Sequence, residues 1–332
     1  MNNKVFEKKS IVPIVKEIRI IGPLHSGKMA ILGSIEQAFL NWNKYESGVN
    51  IGFFPQNSNM ENLCYQYKIT IKKGELPKLN IDKITEYIFD LELRGSRLKW
   101  FLGKKMVRFR VLYFPGTLSF PSTAKNDHDW SKASGFSKEL VDSLDNADGF
   151  IACLDANDND AAFDFWANLP RILGKIENKP KKVVVCLNKS DKLFADREEK
   201  AYGSLLNESP LKYGKDFIPK SGLNCLDMYC KGVKLGICWS SVYGFLKTKG
   251  YANYNSNNDR LLLWGKEYND QDVINNWMPY HVVEPFLFMV LGGVKGVKKY
   301  SVNSQQFKEW IMGKFSVFYR FLFRLKAVKA KG

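Results

Sequence analysis

Apolar positions along this chain follow two alternating spacings. Ile18, Ile20 and Ile21 mark a strand over Lys16 to Ile21. After a small-residue turn, Ile31, Leu32, Ile35, Phe39 and Leu40 recur at helical spacing within Lys28 to Trp42. Ile84 to Leu93 and Met106 to Phe114 alternate as strands, the second stopping at Pro115-Gly116. Phe150 to Leu154 and Lys182 to Leu187 are nearly continuous apolar runs, the pattern of strands buried on both faces. Ser137 to Asn146 and Phe163 to Ile176 read as helices, Leu235 to Ser241 as one more strand, and Trp277 to Gly293 as a closing helix. Asn43 to Ser58, Gly74 to Asn80, Thr117 to Phe136 and Asn255 to Asp259 read as loops or turns, and the pattern does not assign Tyr65 to Lys73. Strand and helix in alternation predict an α/β fold with a doubly wound, mostly parallel sheet.

Composition narrows the class. The chain has 332 residues, 45% hydrophobic and 14% aromatic, enough for a sizeable core and too apolar for global disorder. Its formal net charge of +16 points to an acidic partner: nucleic acid, an anionic membrane surface or an acidic protein. Its six cysteines (Cys64, Cys153, Cys186, Cys225, Cys230, Cys238) show no C-x-x-C pair, as expected of free thiols in a reducing cytoplasm. The N-terminus MNNKVFEKKS lacks an apolar signal segment, and no run approaches the roughly 20 apolar residues of a spanning helix.

Candidate chemistry sits at strand ends. Gly22-Pro23-Leu24-His25-Ser26-Gly27-Lys28 matches the phosphate-cradling G-x-x-x-x-G-K pattern between a strand and a helix. Backbone N–H groups of such a turn face inward, the helix adds the positive end of its dipole, and Lys28 would reach the terminal phosphates. The next position calls for a Mg²⁺-binding hydroxyl and holds Met29, whose thioether is a poor ligand for a hard cation. The plain alternative is an ordinary glycine turn. After the valine-rich strand comes Asn188-Lys189-Ser190-Asp191, an N-K-x-D loop. Its Asp would accept from N1–H and the 2-amino group of guanine, and adenine lacks that donor pair. Lys189 would lay its stem over the base, and Asn188 would tie the two loops together. Ser240 and Ser241, ending a later strand, fit a third loop near the guanine oxygen. Asp127, His128 and Asp129 are too closely spaced to converge readily on a metal and read as a surface loop.

With GPLHSGK, the Pro115-Gly116 turn, ADGFIACLD, LNKSD and SSVYG in this order, the chain resembles a TRAFAC-class P-loop GTPase with a Ras-like fold. More narrowly it is similar to the bacterial double-GTPase group, whose members work beside a partner GTPase in multi-gene conflict or signalling systems. The resemblance covers about Lys16 to Gly293, with GELPKLN and the WMPYHVVEP segment as looser supports. It implies a guanine-nucleotide site made of Gly22, His25, Ser26, Gly27, Lys28, Met29, Gly116, Asn188, Lys189, Asp191, Ser240 and Ser241, with GTP or GDP as ligand. Departures cluster at the metal: Met29, Asn80 in place of the switch Thr, and Tyr113 in place of the D-x-x-G Asp. Phosphoryl transfer needs Mg²⁺ charge neutralisation and an ordered water, so hydrolysis is expected to be weak or absent while binding persists. His25 and Asp155 are the nearest substitutes for a working GTPase, though neither position is expected to reach the metal.

The sequence therefore predicts a GTPase-like domain over residues 1–293, with insertions, and a basic, aromatic helical tail over 294–332. The tail carries Lys295, Lys298, Lys299, Lys308, Lys314, Arg320, Arg324, Lys326, Lys329 and Lys331 against one acid, Glu309. It reads either as a terminal helix packed on the core, as a membrane-surface helix, or as a docking helix for a protein partner, with nucleic acid ranked after these. The expected location is cytoplasmic, with peripheral membrane contact through the tail. A scaffold without nucleotide is the remaining alternative.

Overall fold

A computed structural model describes residues 12–45, 50–75, 83–94, 105–116, 138–192, 224, 228, 232–244, 252–253, 277–293 and 298–300. Its strands are β1 (Ile14–Ile21), β2 (Asn50–Pro55), β3 (Thr85–Arg94), β4 (Lys105–Tyr113), β5 (Gly149–Asp155), β6 (Lys182–Asn188), β7 (Lys234–Trp239) and β8 (Lys298–Tyr300). Its described helices are α1 (Lys28–Tyr45), α2 (Ser58–Lys72), α3 (Lys138–Leu144), α4 (Asn159–Lys175) and α5 (Glu284–Leu291). The strands form one mixed sheet in the order β2-β3-β4-β1-β5-β6-β7-β8. The five central strands, β4 to β7 in that order, are parallel, and β2, β3 and β8 each run antiparallel to their inner neighbour. The fold is thus α/β, as the alternating pattern predicts.

Period-2 side chains divide between two cores. Ile18 and Ile20 of β1, Val107, Phe109 and Val111 of β4, and Phe89 and Leu91 of β3 pack with α1, α2 and α5 on one face. Phe286 of α5 meets Phe89 and Phe109 edge-on, with ring centroids 5.6 and 5.8 Å apart. Ile21, Phe150, Ala152, Leu154, Val183, Val185 and Leu187 face the other way, against Phe165, Trp166, Leu169 and Leu173 of α4. Helices on both faces explain why β5 and β6 are apolar at nearly every position.

One loop assignment is corrected and one unassigned stretch is filled. The stretch read as a loop, Asn43 to Ser58, contains the end of α1 and the edge strand β2. The unassigned Tyr65 to Lys73 lies mostly in α2, whose start is fixed by Asn57: its Oδ1 accepts from Met60 N (3.0 Å) and Ile88 N (3.2 Å), and its Nδ2 donates to Glu86 O (3.0 Å). One asparagine caps the helix and staples it to β3. The expected helix from Trp277 is also shorter. Helix α5 begins at Glu284, with Pro285 in its first turn, and stops where Gly292 N bonds Phe288 O (2.8 Å). Trp277 to Tyr280 is extended instead, in keeping with the residue before Pro279 being pushed out of helical geometry.

The described sheet also includes β8, beyond residue 293. The 301–332 segment, Asn80 and the Asp127–Asp129 cluster lie outside the described residues. No described helix is long and apolar enough to cross a membrane. In the sheet centre, Cys153, Cys186 and Cys238 are direct cross-strand neighbours on β5, β6 and β7 and all fully buried, with the Sγ atoms of Cys186 and Cys238 3.8 Å apart.

Candidate functional site

Parallel strands deliver their carboxyl ends to one edge, and the chain order reverses around β1, so the loops after β1, β4, β5, β6 and β7 converge there. The loop after β1 runs from Gly22 to Gly27 and enters α1. Gly27 has φ +82°, and an added Cβ would overlap the Asn188 amide. His25, an exposed residue, also adopts a left-handed backbone (φ 59°), as does Lys189 (φ 56°). Non-glycine residues held in that region mark places where the surroundings impose the conformation.

The first hydrogen bond into α1 runs from Ile31 N to Gly27 O (3.1 Å). The N–H groups of Lys28, Met29 and Ala30 precede it and so have no intrahelical acceptor. Lys28 folds back over this turn: Nζ donates to Gly22 O (2.7 Å) and Pro23 O (2.6 Å) and sits 5.9 Å from the Tyr113 ring centroid. Burial pulls its pKa down to about 8.

The loop after β6 is locked to its neighbours. Asn188 Nδ2 donates to Ser26 O (3.0 Å), tying this loop to the one after β1, and Ser240 Oγ donates to Asn188 Oδ1 (3.2 Å). Ser190 N and Oγ both donate to Ser240 O (3.1 and 2.9 Å). Ser241 Oγ donates to Asp191 Oδ1 (2.6 Å) and accepts from Gly244 N (2.8 Å). Asp191 is 1% exposed, yet its Oδ2 has no hydrogen-bond partner among the described residues. An orphaned buried carboxylate oxygen is costly, and burial pushes this group up to about 6 despite the Ser241 hydroxyl. The folded value stands above the ordinary 3.8. The contribution of Asp191 to stability is therefore present at low pH and lost as pH rises through about 6.

Of the predicted site residues, Gly22, Ser26, Gly27, Lys28, Asn188, Asp191, Ser240 and Ser241 are joined by these bonds and contacts. Lys189 belongs to the same edge, but its ammonium is engaged by Asp155 Oδ2 (2.6 Å). Asp155, considered as a substitute metal ligand, is thereby committed: its Oδ1 also accepts from Asn157 N (2.9 Å) and Nδ2 (3.1 Å). The β5–β6 register places Asp155 opposite Asn188, the residue before Lys189, and so brings the two side chains within reach. Gly116 lies against the backbone of Pro23 and Leu24, where a Cβ would overlap Leu24.

Met29 points away from solvent, 8% exposed, and its Sδ accepts from Tyr87 Oη at 3.8 Å. With Tyr113 beside Lys28, the donors here among the described residues are a thioether and two phenols, a set that does not fit Mg²⁺. A further contributor is the segment Trp277–Tyr280. Trp277 Nε1 donates to Val242 O (2.7 Å), and Tyr280 and Ser241 exchange backbone bonds (2.7 and 3.0 Å). Asn41 Nδ2 of α1 donates to Trp277 O (2.8 Å). This segment braces the loop that holds Asp191, and the Trp-x-Pro spacing was its signal in the sequence.

No protein-family model matches the chain, and a search of curated proteins finds no match.

Proposed function

We propose that the chain is a guanine-nucleotide-binding, P-loop GTPase-like protein with weak or no hydrolysis, acting as a regulatory or partner-binding module beside another protein. The observation that carries this reading is Asp191: a buried carboxylate, held by Ser241 on one oxygen and without a hydrogen-bond partner among the described residues on the other. A guanine edge offers two adjacent N–H donors, N1–H and the 2-amino group, to a carboxylate so placed. A nearby turn of amides with Lys28 supplies the complementary phosphate seat. The metal-side residues support the hydrolysis part: neither Met29 nor Tyr113 can order Mg²⁺ or polarise water as phosphoryl transfer requires. The partner protein follows from the resemblance, and a surface bound by the basic tail from that segment's charge and aromatic residues.

Competition binding tests the reading. GDP is expected to displace a fluorescent guanine nucleotide at least about 100-fold better than ADP, because adenine leaves the Asp191 carboxylate buried and unpaired. Equal displacement by both would remove guanine reading. Displacement by neither would leave a scaffold. Steady-state phosphate release should remain at background.

The same two groups set a pH optimum. Base recognition needs the Asp191 carboxylate, whose pKa is raised to about 6, and phosphate binding needs the Lys28 ammonium, whose pKa is lowered to about 8. Affinity is expected to be highest between these values and to fall about tenfold per pH unit outside them. Isothermal titration across pH 5 to 9.5 measures both limbs.

A further inference from the structure

We propose that the nucleotide seat is built for a guanosine diphosphate bound without a metal ion, and that it rejects the triphosphate. This rests on the guanine-nucleotide reading above. Strand order supplies the direction. The base reader, Asp191, follows β6, beside the end of β7, whereas the phosphate turn follows β1, two strands away. Neighbouring strands lie about 4.8 Å apart, so a nucleotide running from Asp191 spends about 10 Å reaching the turn at β1. Any group further out meets the ends of β4 and β3.

Among the described residues, those that stand there are a thioether and two phenols, packed together. Tyr113 is the residue opposite Ile20 in the β1–β4 register, and Thr85, two residues before Tyr87, lies opposite Tyr113. Tyr113, Tyr87 and Met29 are 7%, 2% and 8% exposed, so this wall is packed rather than water-filled. Gly116 presses on the Leu24 backbone and closes the turn from the same side. The turn itself brings one cation, Lys28, and the first amides of α1. That complement suits two phosphates. A third phosphate adds about one negative charge with no further cation among the described residues to meet it, against a thioether and phenol rings, and a charge without a partner in such surroundings is disfavoured. Magnesium normally relieves this by bridging the outer phosphates, and the donors on this wall cannot hold it.

The test is isothermal titration of the full chain with GDP and with GTP, each in excess Mg²⁺ and in EDTA, with chromatography confirming intact nucleotide. GDP affinity is expected to change less than twofold on chelation, and GTP to bind at least about tenfold more weakly in both buffers. GTP binding as tight as GDP, or GDP affinity that falls tenfold on chelation, overturns the proposal while leaving guanine binding intact. No heat with either nucleotide overturns both. A double variant, Met29→Ser with Tyr113→Asp, restores oxygen ligands on this wall. It is expected to bring GTP within threefold of GDP in Mg²⁺ but not in EDTA, and an unchanged ratio in a folded variant counts against the proposed cause.

Discussion

Replacing Asp191 with alanine is expected to weaken GDP binding about 100- to 1,000-fold, and to erase the preference for GDP over inosine diphosphate. The size follows from what is lost. A carboxylate oxygen facing two N–H donors makes two charge-assisted bonds, each worth about 1.5–3 kcal/mol. The oxygen that makes them pays its desolvation in the folded, unliganded protein already, since Asp191 is 1% exposed and its Oδ2 has no partner among the described residues. Inosine lacks the 2-amino group, so the wild-type protein should distinguish the two nucleotides while the variant should not. The loss should fall on base discrimination and leave the phosphate seat intact. Both quantities come from the same competition assay. An Asp191→Ala protein that kept its GDP affinity and its discrimination would show that the N-K-x-D loop does not read the base.

The second large effect concerns the brace. Trp277→Ala is expected to destabilise the protein by about 3–5 kcal/mol, measured as the shift in a urea unfolding curve. Trp277 is among the largest fully buried side chains, and its indole N–H is bonded to Val242 O at 2.7 Å. Truncation leaves a cavity and an unsatisfied carbonyl in the same place. The conservative variant Trp277→Phe keeps most of the volume and loses only the hydrogen bond. It should cost about 1–3 kcal/mol. A cost for the alanine variant no greater than that of the phenylalanine variant would place the importance of Trp277 in its N–H and not in its bulk.

Much of this was legible from residue order, for a physical reason. The central strands are buried on both faces, so β5 and β6 appear as unbroken apolar runs, and the candidate site gathers at the carboxyl ends of β6 and β7, where LNKSD and SSVYG stand. Tertiary partners hid the rest. β2 is a half-exposed edge strand whose NIGFFP sequence mixes Gly and Pro with two Phe, and only its pairing with β3 makes it a strand. Helix α2 carries Ile69, Thr70 and Ile71, a β-branched run that argues against a helix, yet Tyr67 and Ile71 are buried against its neighbours and packing overrides propensity. The tie between Asp155 and Lys189 needs two chain segments 34 residues apart, and no local pattern announces it. Asn57, by contrast, is an ordinary N-cap signal that the polar stretch around it obscured.

The cysteine row across β5, β6 and β7 gives the molecule an internal clock. Burial pushes the Cys186 thiol well above its ordinary pKa, so in the closed sheet it is neither ionised nor within reach of an alkylating reagent. All three thiols become accessible only when neighbouring strands part. Their modification by such a reagent is therefore gated by the opening of the sheet, and its rate reports how often that opening happens. Because the strands carry the loops after β5, β6 and β7 at their ends, a ligand bridging those loops would slow the clock, and the slowing would register its binding from the middle of the protein without any probe at the site.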